Sequence, residues 1–320
     1  MIAVVPTPIR LIPQSEVARL LDLDRLLDAL EGAFKALSAG STSVPPRTAA
    51  RVPDGLLGVM PGYAPGFGLV AKLVTVFPRN HERGLPSHQA LIAVFDESDG
   101  RPLAVMDGTE ITAVRTGASS AVSVRALARG DARVLAILGA GVQGGTHLRA
   151  VARVRDFQEL RIASRDRAHA EGLAAEHPGA RVADTFEAAV RGADVVCCCT
   201  DSPTPVLEAE WLKAGAHVTS VGAAAGGPEL PHDVVRMGLL CVESRIAFQP
   251  HPAGAHELQG MDPEVAVELG EVLSGTRPGR TSEEELTVYK SMGHAVEDAA
   301  AARLVCDRAI AEDLGQVVDL

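Results

Sequence analysis

Residues 135–147, LAILGAGVQGGTH, constrain the fold of this chain more than any other stretch. An apolar run, LAIL, leads into Gly139-Ala140-Gly141-Val142-Gln143-Gly144, which fits G-x-G-x-x-G, and a helix-compatible segment follows. Glycines at such a turn let the backbone approach a pyrophosphate, and the helix N-terminus adds amide donors and partial positive charge. The pattern alone is weak; its place between a strand and a helix, at the head of a strand–helix series, gives it weight. ELRIAS reads as a second strand and residues 166–176 as a second helix, with another helical segment at 186–191. ARVAD, ADVVCCCT, AHVTSVG and GLLCVES read as further strands. Strands and helices alternating over short links predict an α/β fold with a doubly wound parallel sheet, a Rossmann domain.

The end of ELRIAS decides which dinucleotide is expected. An acid there binds the ribose 2′-hydroxyl, whereas an arginine accommodates a 2′-phosphate. Ser164 stands at the acidic position and Arg165 follows it, which predicts NADPH, with NADH as the alternative. Asp166 is read as the cap of the next helix.

The first third of the chain has a different texture. Residues 15–39 carry a helical apolar pattern, with Asp22 or Asp24 placed to break it into two helices. From residue 47 to 107, short runs such as GLLGVM, GLVAKLVTVF and HQALIAVF are separated by Pro and Gly, which predicts a meander of strands. One long helix is expected over 109–129, and an Ala-rich one over 294–313. The fold class expected is therefore a Rossmann domain plus an α+β domain.

A chain of 320 residues with 47% hydrophobic residues can bury a large core. Its net charge of -11 argues against general binding to nucleic acid or an anionic membrane. No apolar run reaches bilayer length, and the start, MIAVVPTPIRLIPQ, lacks the pattern of a secretory signal, so a cytoplasmic location is expected. Cys197, Cys198 and Cys199 are adjacent in one apolar run; strand neighbours face opposite ways, which suits neither a disulfide framework nor zinc. The histidines show no metal spacing, so no metal is expected.

Three cations stand in apolar surroundings: Arg47 in VPPR, Lys72 in LVAKLVTV and Arg115 in the Ala-rich helix. A lysine inside an apolar strand is costly unless paired, so Lys72 is an internal salt-bridge partner, a charge that reaches the surface along its stem, or a ligand contact. A guanidinium binds a carboxylate in bidentate fashion, which makes a substrate carboxylate a natural partner for Arg47. Ser87 and His88, in the turn GLPSHQ, are placed to contact a cofactor or substrate, or simply solvent.

Together, VPPR, VMPGY, AKLVTVFPRN, GLPSHQALIAVFD, LAVMDGTEITAVRTGASSA, LAILGAGVQGGTH, GADVVCCCT and TVYKSMGHAVEDAAAA resemble the ornithine cyclodeaminase/μ-crystallin family over nearly the full length. The wording is most similar to the μ-crystallin, or ketimine reductase, branch. The resemblance implies a homodimer in which residues 1–112 with 299–320 form the substrate-binding and dimerisation domain and 113–298 the NAD(P)-binding domain. It implies that Arg47, Lys72 and Arg115 surround the substrate carboxylate and reacting carbon, with Met60 and Met292 lining the pocket. It implies that Ser87, His88 and Arg115 approach the nicotinamide or its phosphates, that Ser164 and Arg165 take the adenosine phosphate, and that Thr200 and Ser291 border the nicotinamide.

One departure bears on the reaction. Cyclodeaminases of the family carry a catalytic Asp just after the Val-Gly that here ends SVG; this chain has Ala223-Ala224-Ala225, and the next carboxylate, Glu229, matches a family Glu on the following helix. Cyclodeamination needs a base between hydride transfers, whereas reduction of a protonated imine does not. The expectation is therefore NADPH-dependent reduction of cyclic ketimines, Δ1-pyrroline-2-carboxylate or Δ1-piperideine-2-carboxylate, to L-proline or L-pipecolate. The alternatives are an ornithine cyclodeaminase, an alanine dehydrogenase-like amino-acid dehydrogenase, and a non-catalytic NADPH-binding protein.

Overall fold

The computed structural model describes residues 8–222 and 227–319, apart from the side chain of His81. The chain divides into two compact units, Met1–Arg115 with His294–Leu320, and Thr116–Gly293.

The first unit opens with strand β1 (Pro8–Ile12) and helices α1 (Gln14–Leu20) and α2 (Leu23–Ser38). Asp22 separates the helices: its carboxylate accepts the Arg25 amide at 2.9 Å and caps α2. Strands β2 (Thr48–Val52), β3 (Gly55–Ala64), β4 (Gly68–Val76), β5 (His88–Phe95) and β6 (Pro102–Asp107) then run as an antiparallel meander. Helix α3 (Gly108–Leu127) follows and crosses the division between the units.

The second unit contains β7 (Val134–Leu138), α4 (Val142–Val151), β8 (Glu159–Ala163), α5 (Arg167–Ala175), β9 (Ala180–Val182), α6 (Phe186–Val190), β10 (Val195–Cys198), β11 (His217–Ser220), α7 (His232–Arg236), β12 (Leu239–Val242), β13 (Val267–Glu268), α8 (Leu269–Ser274) and β14 (Thr287–Lys290). Its eight strands are all parallel, in the order β13-β12-β14-β11-β10-β7-β8-β9. The chain winds outward from β7 through β8 and β9, then returns to β10 on the other side of β7. That reversal is the switch point at which doubly wound sheets bind ligands, and the glycine turn leaves from it.

The chain returns to the first unit through α9 (Ala295–Ala311) and ends on β15 (Gln316–Asp319). The first sheet is completed as β15-β1-β6-β5-β4-β3-β2, with β1 parallel to β6 and antiparallel to β15. Helix α9 packs on β3, β4 and β5. The ladder register puts Met60, Lys72, Ile92 and Met106 in one row, and all four are buried. The alternate residues Leu57, Leu73 and Leu91 point from the opposite face and are exposed. Arg115 and residues 294–298 fall in the first unit, where Glu297 and Asp298 in the first turn of α9 pair with Arg115 and Lys72.

All five cysteines are buried and free. Burial raises the thiol pKa of each, which suits small core residues rather than ligands or nucleophiles. No helix among the described residues is long and apolar enough to cross a membrane.

Candidate functional site

The glycine turn after β7 has the shape a dinucleotide needs. Gly139 has φ +99°, and a Cβ there would lie 2.7 Å from the Cys199 carbonyl oxygen and 3.0 Å from Thr200 Cγ2. A Cβ at Gly144 would lie 2.0 Å from the Gly139 carbonyl oxygen. Gly141 differs: it is the N-cap of α4, and nothing lies within 4 Å of the position its Cβ would take. No side chain caps α4 and its first turn holds no acid, so the amide end beginning at Val142 and Gln143 is open to an anion. Two glycines make the turn and one leaves approach space, which fits a bound pyrophosphate.

Ser164 directly follows β8, and Arg165 is exposed with no carboxylate partner among the described residues. The Asp166 carboxylate accepts the Ala168 amide at 2.9 Å and caps α5. An available cation and a committed acid fit a 2′-phosphate better than a 2′-hydroxyl.

At the ends of β10, β11 and β14 lies a buried polar network. Glu229 accepts the Thr200 amide at 2.6 Å, the Thr200 hydroxyl at 2.7 Å, the Ser220 hydroxyl at 2.7 Å and the Gly222 amide at 2.7 Å. Lys290, fully buried, donates to Ser220 Oγ and to the Gly222 carbonyl, and its Nζ lies 2.9 Å from Glu257 Oε1. Glu229 precedes α7, which starts at His232 with Pro231 as its N-cap. Ser291 is buried and donates to Glu243, whose carboxylate also accepts the Met292 and Gly293 amides. The Ser291 hydroxyl thus ties down its own loop, and Met292 packs against the second unit's core. Ala223, Ala224 and Ala225 lie outside the described residues.

The first unit gathers cations around Lys72. Its side chain is 2% exposed, and its Nζ lies 2.6 Å from Asp298 Oδ2. Asp298 Oδ1 is 3.2 Å from Arg115 Nε, and Arg115 Nη1 donates to Glu297 Oε2 at 2.9 Å. Arg47, half-buried just before β2, acts electrostatically on both Lys72 and Asp298. Met60 lies opposite Lys72 in the ladder and is buried beside it. The salt-bridge reading of Lys72 is therefore realised, yet an ammonium has three donors and, among the described residues, only Asp298 meets this one.

Charge in this cluster follows from burial and proximity. Burial lowers the Lys72 pKa, Asp298 opposes the shift, and the result is about 8. Burial works to raise the Asp298 carboxyl, but Lys72 and Arg115 prevail and hold it below its ordinary value. His294 is pushed down to about 4 by burial and by Arg47. Crowding by protein atoms and the charges of Lys72 and Arg115 also lower His88, although its side chain keeps solvent access. Ser87 Oγ lies 3.1 Å from His88 Nδ1. Arg47, Lys72 and Arg115 thus share one cluster with Glu297 and Asp298.

Four acids and one lysine escaped sequence reasoning as site elements: Glu297, Asp298, Glu243, Glu257 and Lys290. A signal was present for two of them. Consecutive acids in the first turn of an otherwise apolar Ala-rich helix are out of place unless cations meet them.

A doubly wound parallel sheet with an open, uncapped glycine turn at its switch point defines a Rossmann-type dinucleotide-binding protein; this one also carries a unit with a buried cationic cluster. The chain belongs to the ornithine cyclodeaminase/mu-crystallin family, whose model matches residues 10–313. It is 42% identical to the ketimine reductase mu-crystallin of Mus musculus over 290 residues, 88% of this chain and 91% of that protein. Its structure is similar to the Δ1-pyrroline-2-carboxylate reductase of Thermococcus litoralis in complex with NADH and L-proline, with a TM-score of 0.91 at 31% identity, covering 97% of this chain and 100% of that one. An archaeal alanine dehydrogenase dimer with bound NAD matches with a TM-score of 0.87 at 30% identity, over 97% of this chain and 99% of that one.

Proposed function

We propose that this chain is an NAD(P)H-dependent oxidoreductase that reduces cyclic ketimines carrying one carboxylate, Δ1-pyrroline-2-carboxylate or Δ1-piperideine-2-carboxylate, to L-proline or L-pipecolate. The observation that carries this reading is Lys72: a buried ammonium with donor capacity to spare, in a cluster with Arg47 and Arg115. Such a cluster takes one carboxylate and still offers a proton. The similarity to a ketimine reductase and to a pyrroline-carboxylate reductase supports it.

In this reading Arg47 and Arg115 hold the substrate carboxylate, which fixes the imine in one orientation, and Met60 supplies an apolar wall. A reduced nicotinamide, when bound, supplies hydride to the imine carbon. Gly139, Gly141, Val142, Gln143 and Gly144 hold the pyrophosphate, Ser164 and Arg165 the 2′-phosphate, and Thr200 and Ser291 the loops beside the nicotinamide. Ser87 and His88, with Arg115, face the nicotinamide end. As the carbon–nitrogen π bond opens, the nitrogen receives a proton from Lys72 Nζ, and solvent restores the ammonium.

The protein acts as a homodimer in this reading. The exposed Leu57, Leu73 and Leu91 on one sheet face support a second copy there. Leu73→Asp should give monomers in light scattering; an intact dimer would place the interface elsewhere. A panel of cyclic ketimines, ornithine, and pyruvate with ammonia, each run with NADH and NADPH, tests the function. Turnover of cyclic ketimines, faster with NADPH, is expected; no turnover of any ketimine overturns it.

A further inference from the structure

We infer that Asp298 is a positioning residue that keeps Lys72 in its ammonium form as the proton donor to the imine nitrogen. The inference rests on the ketimine reductase reading and adds to it the group that makes Lys72 an acid. The need arises from the sheet. Lys72 sits in the buried row Met60–Lys72–Ile92–Met106, where an unpaired ammonium gives up its proton rather than pay for desolvation.

The charged and titratable groups of this cluster come from four places. Arg115 on α3 and Arg47 before β2 are cations and oppose its charge. His88 on β5 and His294 before α9 have depressed pKa values and are neutral near pH 7. Glu297 is committed to Arg115 and to the His294 amide. Among the described residues only Asp298, fully buried and 2.6 Å away, favours the ammonium directly. Asp298 in turn stays ionised because Lys72 and Arg115 flank it. It touches neither reacting atom in this scheme; it acts through Lys72.

The consequence is a proton donor poised near the working pH instead of one locked on at 10.5 or stripped by burial. During reduction the imine nitrogen gains the proton that Lys72 loses, and the carbon gains the hydride. Asp298, still paired with Arg115, then faces a neutral Lys72 until solvent reprotonates it, and its negative charge favours that recovery.

The chain has four lysines, Lys35, Lys72, Lys213 and Lys290, so lysine labelled with 13C at Cε gives few NMR signals, and Lys72→Met identifies the one of interest. In the full-length protein Lys72 should titrate near pH 8, and kcat/KM for a cyclic ketimine should fall above that pH. In Asp298→Asn both should move down together by about one unit or more, a tenfold change in the proton equilibrium. Asp298→Ala, which leaves room for water, serves if the amide is not accommodated, and Asp298→Glu should keep the titration near its original place. An unchanged Lys72 titration overturns the inference, as does a shifted titration that kcat/KM does not follow. Failure of the ketimine reading itself looks different: no ketimine is turned over, while the NMR titration still responds to Asp298.

Discussion

Glu229 ties Thr200 to Gly222: one carboxylate oxygen accepts the Thr200 amide at 2.6 Å and the other accepts the Gly222 amide at 2.7 Å. With the hydroxyls of Thr200 and Ser220 also bound, the carboxylate is saturated by internal donors. Glu229, the next acid in the sequence after the Ala-rich stretch, therefore serves as a strut between the ends of β10 and β11 and has no lone pair directed to a substrate.

Removing that strut should be costly. Glu229→Ala leaves two amides and two hydroxyls without their acceptor in a buried place. A loss of about 3 kcal/mol or more in urea unfolding is expected, given the cost of unsatisfied buried donors. A loss below about 1 kcal/mol would mean that water replaces the carboxylate and the strut is dispensable.

Gly141 and Gly144 should separate cofactor binding from stability. Gly141→Ala adds a methyl into open space, so melting of the protein alone should be unchanged while NADPH binding weakens tenfold or more, about 1.4 kcal/mol. Gly144→Ala meets the Gly139 carbonyl at 2.0 Å and should lower the melting temperature as well. Titration of NADPH fluorescence and thermal melts check both; a Gly141→Ala protein with unaltered affinity would place the pyrophosphate elsewhere.

Two histidines inside the second unit set its behaviour in acid. Burial lowers His147 to about 4 and His217 to about 3, from 6.5. The unfolded chain binds these protons first, so the neutral rings contribute stability that is full above about pH 6.5 and is lost as pH falls towards the folded values. Each should cost about 1.4 kcal/mol per pH unit between pH ~6 and ~4. Ser120 and Ser123 hold the Nε2 atoms, at 2.9 and 3.1 Å. His147→Asn should make the dependence of unfolding free energy on pH shallower by about one proton; an unaltered slope would show that His147 titrates alike in both states.

The Rossmann unit was readable in the sequence because its strands are apolar runs separated by punctuated helices, and the glycine spacing marks the turn. Strand β14 was harder: TVYK has four residues, ends in a lysine and follows an acidic segment, so nothing local announces a central strand. Strands β1 and β15 were missed because each is short and its pairing joins residues some 300 positions apart, as in Leu11 with Gln316. Lys72 was conspicuous as a charge in an apolar run, but its partner was not. Asp298 lies 226 residues later on another element, and only the fold brings the two to 2.6 Å. Lys290 and Glu257 were silent for the same reason.

The most direct test of the central claim is the stoichiometry of the reaction. Purified protein is given NADPH and Δ1-pyrroline-2-carboxylate, and NADPH loss and L-proline are measured together. One NADPH consumed for each L-proline formed, with ornithine inert, is the predicted result. No consumption of NADPH, or proline formed from ornithine without net consumption of a reduced nicotinamide, would contradict it.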